Sequence, residues 1–240
     1  MSQAQPSHTF KSFDDDLGQL RTLIGEMGGL AEVQITAAID ALIRRDIEAA
    51  MRVVIDDKRI DAIEQEAERL AVTTIALRAP MADDLREVIA ALKISNMLER
   101  IGDYAANIAK RSTVLAQSTP IQPIVIIPEM ARAVAAMVKD ALDAYADRDP
   151  ELAAEVCEHD RNVDDLYASL FRSLLTYMME NPHHITPSAH LLFIAKNLER
   201  VGDQATNIAE VVYYNATGRH IADRPKGDDT PYARAEEDTP

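Results

Sequence analysis

Four pairs of acidic residues spaced one helical turn apart are the most chemically suggestive feature of this 240-residue sequence. They are Asp57 and Asp61, Glu99 and Asp103, Asp160 and Asp164, and Glu199 and Asp203. In a helix each residue advances about 100°, so an i,i+4 pair lies within about 40° on one face. Like charges so placed cost ~0.2–0.5 kcal/mol per pair. A single pair reads as a solvated face. Four pairs at matching places bring ligation of hard cations through carboxylate oxygen level with that reading. An acidic stripe also suits docking of a basic partner surface.

The stripes demand helices, and the sequence supplies them. Glu99, Asp103 and Asn107 fall on one narrow stripe, with Ile94, Leu98, Ile101, Ala105 and Ile108 nearly opposite. Glu199, Asp203 and Asn207 stand in the same relation to Ile194, Leu198, Val201, Ala205 and Ile208. On these wheels the carboxylates point away from the core and line no buried active site. An earlier stretch continues Asp57 and Asp61 with Glu64 and Glu68; its counterpart places Tyr167 and Phe171 there instead. Arg100 and Arg200 sit beside the stripes as neutralising partners. Gly102 and Gly202 interrupt helices at a cost of about 1 kcal/mol each relative to alanine. Close approach of another backbone or ligand is one justification, and a small residue at a helix crossing is the simpler one.

Helical periodicity runs almost throughout. The expected helices are Asp14 to Arg44, then Asp46 as a cap with helix to Arg78, then Asp83-Asp84 to Leu115, with Asp84 and Glu87 at capping-box spacing. Ala79-Pro80 ends the second helix. Residues 117–127, with Pro120 and Pro123, form an apolar linker whose Ile124-Val125-Ile126-Ile127 run is strand-like but lacks a partner strand. Pro128-Glu129, Asp149-Pro150-Glu151 and Thr186-Pro187 open three further helices. At the start of the third helix Leu85, Val88 and Leu92 continue the stripe face; ordinary intrachain packing explains them, with a second subunit as the alternative cover.

The halves repeat. Arg45-Asp46-Ile47-Glu48 matches Arg148-Asp149-Pro150-Glu151 at an offset of 103 residues, and Leu98-Glu99-Arg100-Ile101-Gly102-Asp103 matches Leu198-Glu199-Arg200-Val201-Gly202-Asp203 at an offset of 100. The expected fold is all-α: two tandem, pseudo-symmetric three-helix bundles over residues 10–116 and 128–217, followed by a disordered acidic tail over 218–240.

Composition narrows the function. A net charge of −15 argues against nucleic-acid binding. The single cysteine, Cys157, excludes an intrachain disulfide. The chain shows no signal-peptide pattern, and no apolar run reaches the ~18 residues of a membrane span, so the reading is soluble and cytoplasmic. Glu180 and His183 have di-iron spacing but are separated by Pro182 at a helix end. There is no phosphate-binding glycine loop and no nucleophile elbow. Nothing points to catalysis.

The paired acidic motifs, and the two Leu-Glu-Arg-(Ile/Val)-Gly-Asp segments each followed by Asn-Ile-Ala, resemble the PhoU family of bacterial phosphate-signalling regulators over roughly residues 10 to 217. The resemblance implies a non-enzymatic negative regulator, commonly homodimeric, that couples a phosphate ABC transporter to a two-component sensor histidine kinase and meets the membrane only through those partners. It also implies a multinuclear iron or zinc cluster on the acidic faces, with Asp57, Asp61, Glu99, Asp103, Asp160, Asp164, Glu199 and Asp203 as candidate ligands. A metal-dependent helical-bundle enzyme and a metal-storage protein are the alternatives.

Overall fold

The computed structural model describes residues 7–221, and side chains from residue 13 onward. Six long helices account for most of it: α1 (Ser7–Arg44), α2 (Ile47–Arg78), α3 (Asp83–Leu115), α4 (Ile127–Asp147), α5 (Pro150–Glu180) and α6 (Ile185–Thr217). The described residues form no strand. Helices α1, α2 and α3 pack on one another, as do α4, α5 and α6, and the two groups meet chiefly through α3 on α6 and α1 on α4. The all-α, twice-three-helix reading of the sequence holds. The acidic tail lies outside the described residues from 222 onward.

Local chemistry sets most helix ends. Asp46 accepts a hydrogen bond from the Ala49 backbone N–H at 2.9 Å, and Asp149 accepts from Glu151 and Leu152. Two expected caps are absent. Thr186 lies inside the first turn of α6, which starts at Ile185 with no side-chain cap. The Asp84–Glu87 capping box does not form either: α3 begins at Asp83 after Ala82, whose φ is +50°. Glu87 is instead buried, accepting from Arg21 Nε of α1 at 2.7 Å and pairing with Arg148 at the C-terminus of α4. A carboxylate with first-turn spacing thus ties the two halves together, because two guanidinium groups offer it more than one backbone N–H would.

The apolar linker packs down as a single 3-10 turn, Gln122–Ile126, with Ile121 and Ile127 buried and Val125 exposed. All ten apolar positions placed opposite the acidic stripes, Ile94 to Ile108 and Ile194 to Ile208, are fully buried. Val88 is also buried and Leu92 packs against the core, whereas Leu85 stays partly exposed, so intrachain packing covers most of that face. Gly28 of α1 rests against Leu142 of α4, where any larger side chain would collide with it.

Helices α3 and α6 run antiparallel. Leu85 and Ile89 near the start of α3 share a groove with Val211 and Tyr214 near the end of α6, while Lys110 and Arg111 share one with Phe193 and Lys196.

Candidate functional site

The eight expected carboxylates gather into two centres of four. Crossing of α2 and α3 brings Asp57 and Asp61 to Glu99 and Asp103; crossing of α5 and α6 brings Asp160 and Asp164 to Asp203 and Glu199. No carboxylate of the second centre is among the charges raising Asp57 or Glu99, and none of the first is among those raising Asp203.

The expectation that these groups project outward needs correction. Asp103 is exposed, but Asp57, Asp61, Glu99, Asp164, Glu199 and Asp203 are half-buried, and Asp160 is 7% exposed. A wheel drawn for one helix treats its polar face as solvent. Here the polar faces of neighbouring helices turn towards each other at the crossings.

Gly102 makes the first crossing possible. A Cβ at this position would lie 2.8 Å from Asp57 Oδ1, 3.0 Å from Ile60 Cδ1 and 3.3 Å from Gln34 Oε1. The absent methyl is thus the space through which Asp57 and the α1 side chain Gln34 approach α3. At Gly202 the equivalent distances are 3.4 Å to Asp160 Oδ1 and 3.6 Å to Val163, ordinary contact.

Burial and mutual repulsion both act on the acids. The Asp57 carboxyl is pushed up to about 6, first by burial and then by Asp103 and Asp61, with Lys110 opposing. Asp203 is likewise pushed up to about 6 by burial, then by Glu199 and Asp160, with Lys196 opposing. Glu99 is raised by burial and by Asp103, Asp61, Glu64 and Asp57. Glu64 therefore belongs to the first centre, although only the helix-2 stripe in the sequence pointed to it.

Three residues were not identified as part of these centres from the sequence. Gln34 is buried, and its Oε1 has no hydrogen-bond donor from the protein. Lys196 donates to Glu199 at 2.7 Å and lies in the field of Asp203, and Lys110 lies in that of Asp57. The two lysines, not the adjacent arginines, neutralise the stripes: Arg100 and Arg200 form no ion pair among the described residues, and Arg200 lies over the Tyr104 ring at 5.9 Å. Two lysines facing one groove were visible only as scattered exposed cations in the sequence.

The fit to a cation can be judged atom by atom. The donors are carboxylate and amide oxygens, the set that hard cations take. Asp57 Oδ1, Gln34 Oε1 and Glu199 Oε2 are buried without a protein donor, a deficit of about 1–3 kcal/mol each that a cation would offset. Among the described residues, however, no group of three or more Asp, Glu, His or Cys side chains is arranged to hold a metal ion. The donor chemistry fits, and the coordination shell is not closed.

A duplicated helical scaffold with an acidic crease in each half is the class this geometry defines. Two segments, residues 24–112 and 127–212, match the PhoU domain. The chain is 56% identical over 222 residues to a Zymomonas mobilis protein named phosphate-specific transport system accessory protein PhoU homolog, covering 92% of this chain and 94% of that one. It is 47% identical to the Caulobacter vibrioides protein of the same name, covering 92% and 97%. The crystal structure of PhoU from Pseudomonas aeruginosa superposes with a TM-score of 0.83 at 38% identity, covering 86% of this chain and 100% of that one. The phosphate transport system regulatory protein PhoU from Streptococcus pneumoniae gives 0.80 at 26%, covering 87% and 99%. This chain belongs to the PhoU family.

Proposed function

We propose that this protein is a non-enzymatic, cytoplasmic regulator of phosphate uptake, acting on a phosphate ABC transporter and relaying its state to a two-component sensor histidine kinase as a negative regulator when phosphate is plentiful. The observation that carries this reading is near-full-length likeness to a phosphate-specific transport accessory protein at 56% identity. No helix among the described residues is long and apolar enough to cross a membrane, which suits an accessory that reaches the membrane through partners. The groove between α3 and α6, with partly exposed Leu85 and Ile89, offers apolar surface for a homodimer contact, checked by mass in solution.

The acidic centres are proposed to bind metal, iron ahead of zinc because every donor is oxygen and zinc more often takes nitrogen and sulfur. The ligands would be Asp57, Asp61, Glu99 and Asp103 in the first centre, and Asp160, Asp164, Glu199 and Asp203 in the second. The bound ions would cancel the repulsion that raises Asp57 and Asp203 and would fix the α2–α3 and α5–α6 crossings.

Deletion of the gene tests the regulatory reading. Phosphate uptake and starvation enzymes should become active in high phosphate and return to repression on complementation; continued repression in the deletion strain overturns the proposal. Elemental analysis of protein purified without chelator tests the metal separately.

A further inference from the structure

Away from Leu85 and Tyr214, the α3–α6 groove turns basic. Lys110 and Arg111 of α3 and Lys196 and Arg200 of α6 line an open cleft of about 540 Å³, with His190 and Phe193, and no carboxylate contributes to its wall. In a chain of 40 acids and 25 lysines and arginines, that segregation of charge is not expected of a mixed surface.

The four cations are not equally engaged. Lys196 is bound to Glu199, and Lys110 faces Asp57 from a distance. Arg111 and Arg200 pair with no carboxylate among the described residues. Arg111 instead lies over the Phe193 ring at 4.1 Å and 3.5 Å from His190 Nδ1, and Arg200 lies over Tyr104. Stacking holds a guanidinium by its face and leaves its N–H edge available to a planar or tetrahedral oxyanion. Arg111 is held in this way at 4.1 Å and Arg200 more loosely at 5.9 Å; from facing helices, both guanidinium groups are suited to phosphoryl oxygens.

Length selects among such anions. The lining runs from Asn107 to Val114 on α3 and from His190 to Arg200 on α6. At about 1.5 Å per residue these stretches are about 10 and 15 Å long. One phosphate tetrahedron occupies only a small part of that length, and each further linked phosphoryl group reaches more of the basic wall. We propose that this cleft binds an anion with two or more linked phosphoryl groups, held by Arg111 and Arg200 with Lys110 in support. The ligand is either an inorganic condensed phosphate or a nucleoside di- or triphosphate, whose base would lie on the half-exposed Phe193 ring. The site rests on the basic cleft and not on the transporter reading; because Lys110 and Lys196 also border the acidic centres, the titrations are run without metal.

Calorimetric titration of the full chain in metal-free buffer at physiological ionic strength tests it, with orthophosphate, sulfate, pyrophosphate, tripolyphosphate, ADP, ATP and a poly-glutamate peptide as probes. Pyrophosphate or ADP should bind at least tenfold more tightly than orthophosphate or sulfate. Arg111→Gln and Arg200→Gln should each cost tenfold or more, while Arg52→Gln, at an exposed position on α2, should change nothing. Lys110→Gln, expected to cost severalfold, carries the test if either arginine variant loses its helical spectrum. Phe193→Ala, which also frees Arg111, separates the sources: a loss at least fivefold greater for ADP and ATP than for pyrophosphate and tripolyphosphate assigns a nucleotide, and an equal loss across all four assigns an inorganic chain. Orthophosphate binding as tight as pyrophosphate, indifference to both arginine variants, or tight binding of poly-glutamate alone overturns the proposal.

Discussion

The two acidic centres share a sequence pattern but not an environment. In the first, Asp57 reaches into a gap left by Gly102, shares that gap with the unpartnered Gln34 Oε1, and among the described residues is opposed by the charge of Lys110. In the second, Lys196 is hydrogen-bonded to Glu199, and Gly202 leaves ordinary clearance around Asp160. Tyr167 and Phe171 stand where the first centre extends to Glu64 and Glu68. The two halves thus carry the same carboxylates with different neighbours: the first centre has only the field of Lys110 opposing Asp57, and in the second Lys196 is bonded to Glu199. The lesson is that ligand residues alone do not set a site's affinity; the charges already present do.

This difference can be broken experimentally. On the proposed metal-binding role, the largest expected effect is on cation binding: titration with manganese(II) should show Asp57→Asn with Asp103→Asn weakening binding tenfold or more, and Asp160→Asn with Asp203→Asn clearly less. Equal losses would mean that Lys196 does not compete for the second centre. Next comes packing. Gly102→Ala forces Asp57 and Ile60 to move and should cost about 1–3 kcal/mol in denaturant unfolding. Gly202→Ala meets only ordinary contacts, so the helix preference for alanine, up to about 1 kcal/mol, should leave it neutral or slightly stabilising.

A subtler change sharpens the comparison from the other side. Lys196→Met should raise cation affinity at the second centre severalfold, because Glu199 loses its partner; Lys110→Met should do less at the first. The smallest effect is the pH dependence of metal-free protein. Asp57 and Asp203 both rise to about 6 on folding from ordinary values of 3.8, so the native state binds more protons than the unfolded chain between these values. Their ionisation penalty is fully present above about 6 and is relieved as pH falls towards 4. Stability in thermal melts should therefore increase from pH 7 to pH 5, and Asp57→Asn should flatten part of that slope.

Glu87 marks where reading along the chain was least adequate. Its spacing from Asp84 is that of a helix cap, yet its partners, Arg21 and Arg148, come from α1 and from the end of α4. Capping rules describe what a side chain does when nothing better is within reach. Two guanidinium groups brought in by tertiary packing are better, and α3 starts without a side-chain cap.

The residues by themselves determined what repeats at helical period. Apolar positions such as Leu98, Ile101, Leu198 and Val201 must be buried, the Asp46 and Asp149 caps must start helices, and four acidic pairs must lie on four stripes. Those are properties of neighbours within one or two turns, where the geometry of the chain is fixed. Only the tertiary structure decided which stripes meet, that Asp160 is buried, that Gln34 joins the first centre, that lysines rather than arginines neutralise the acids, and that Arg111 and Arg200 face one cleft. These pairings join residues far apart in sequence, and their energies depend on burial and charge at helix crossings, which no periodicity within a single helix encodes.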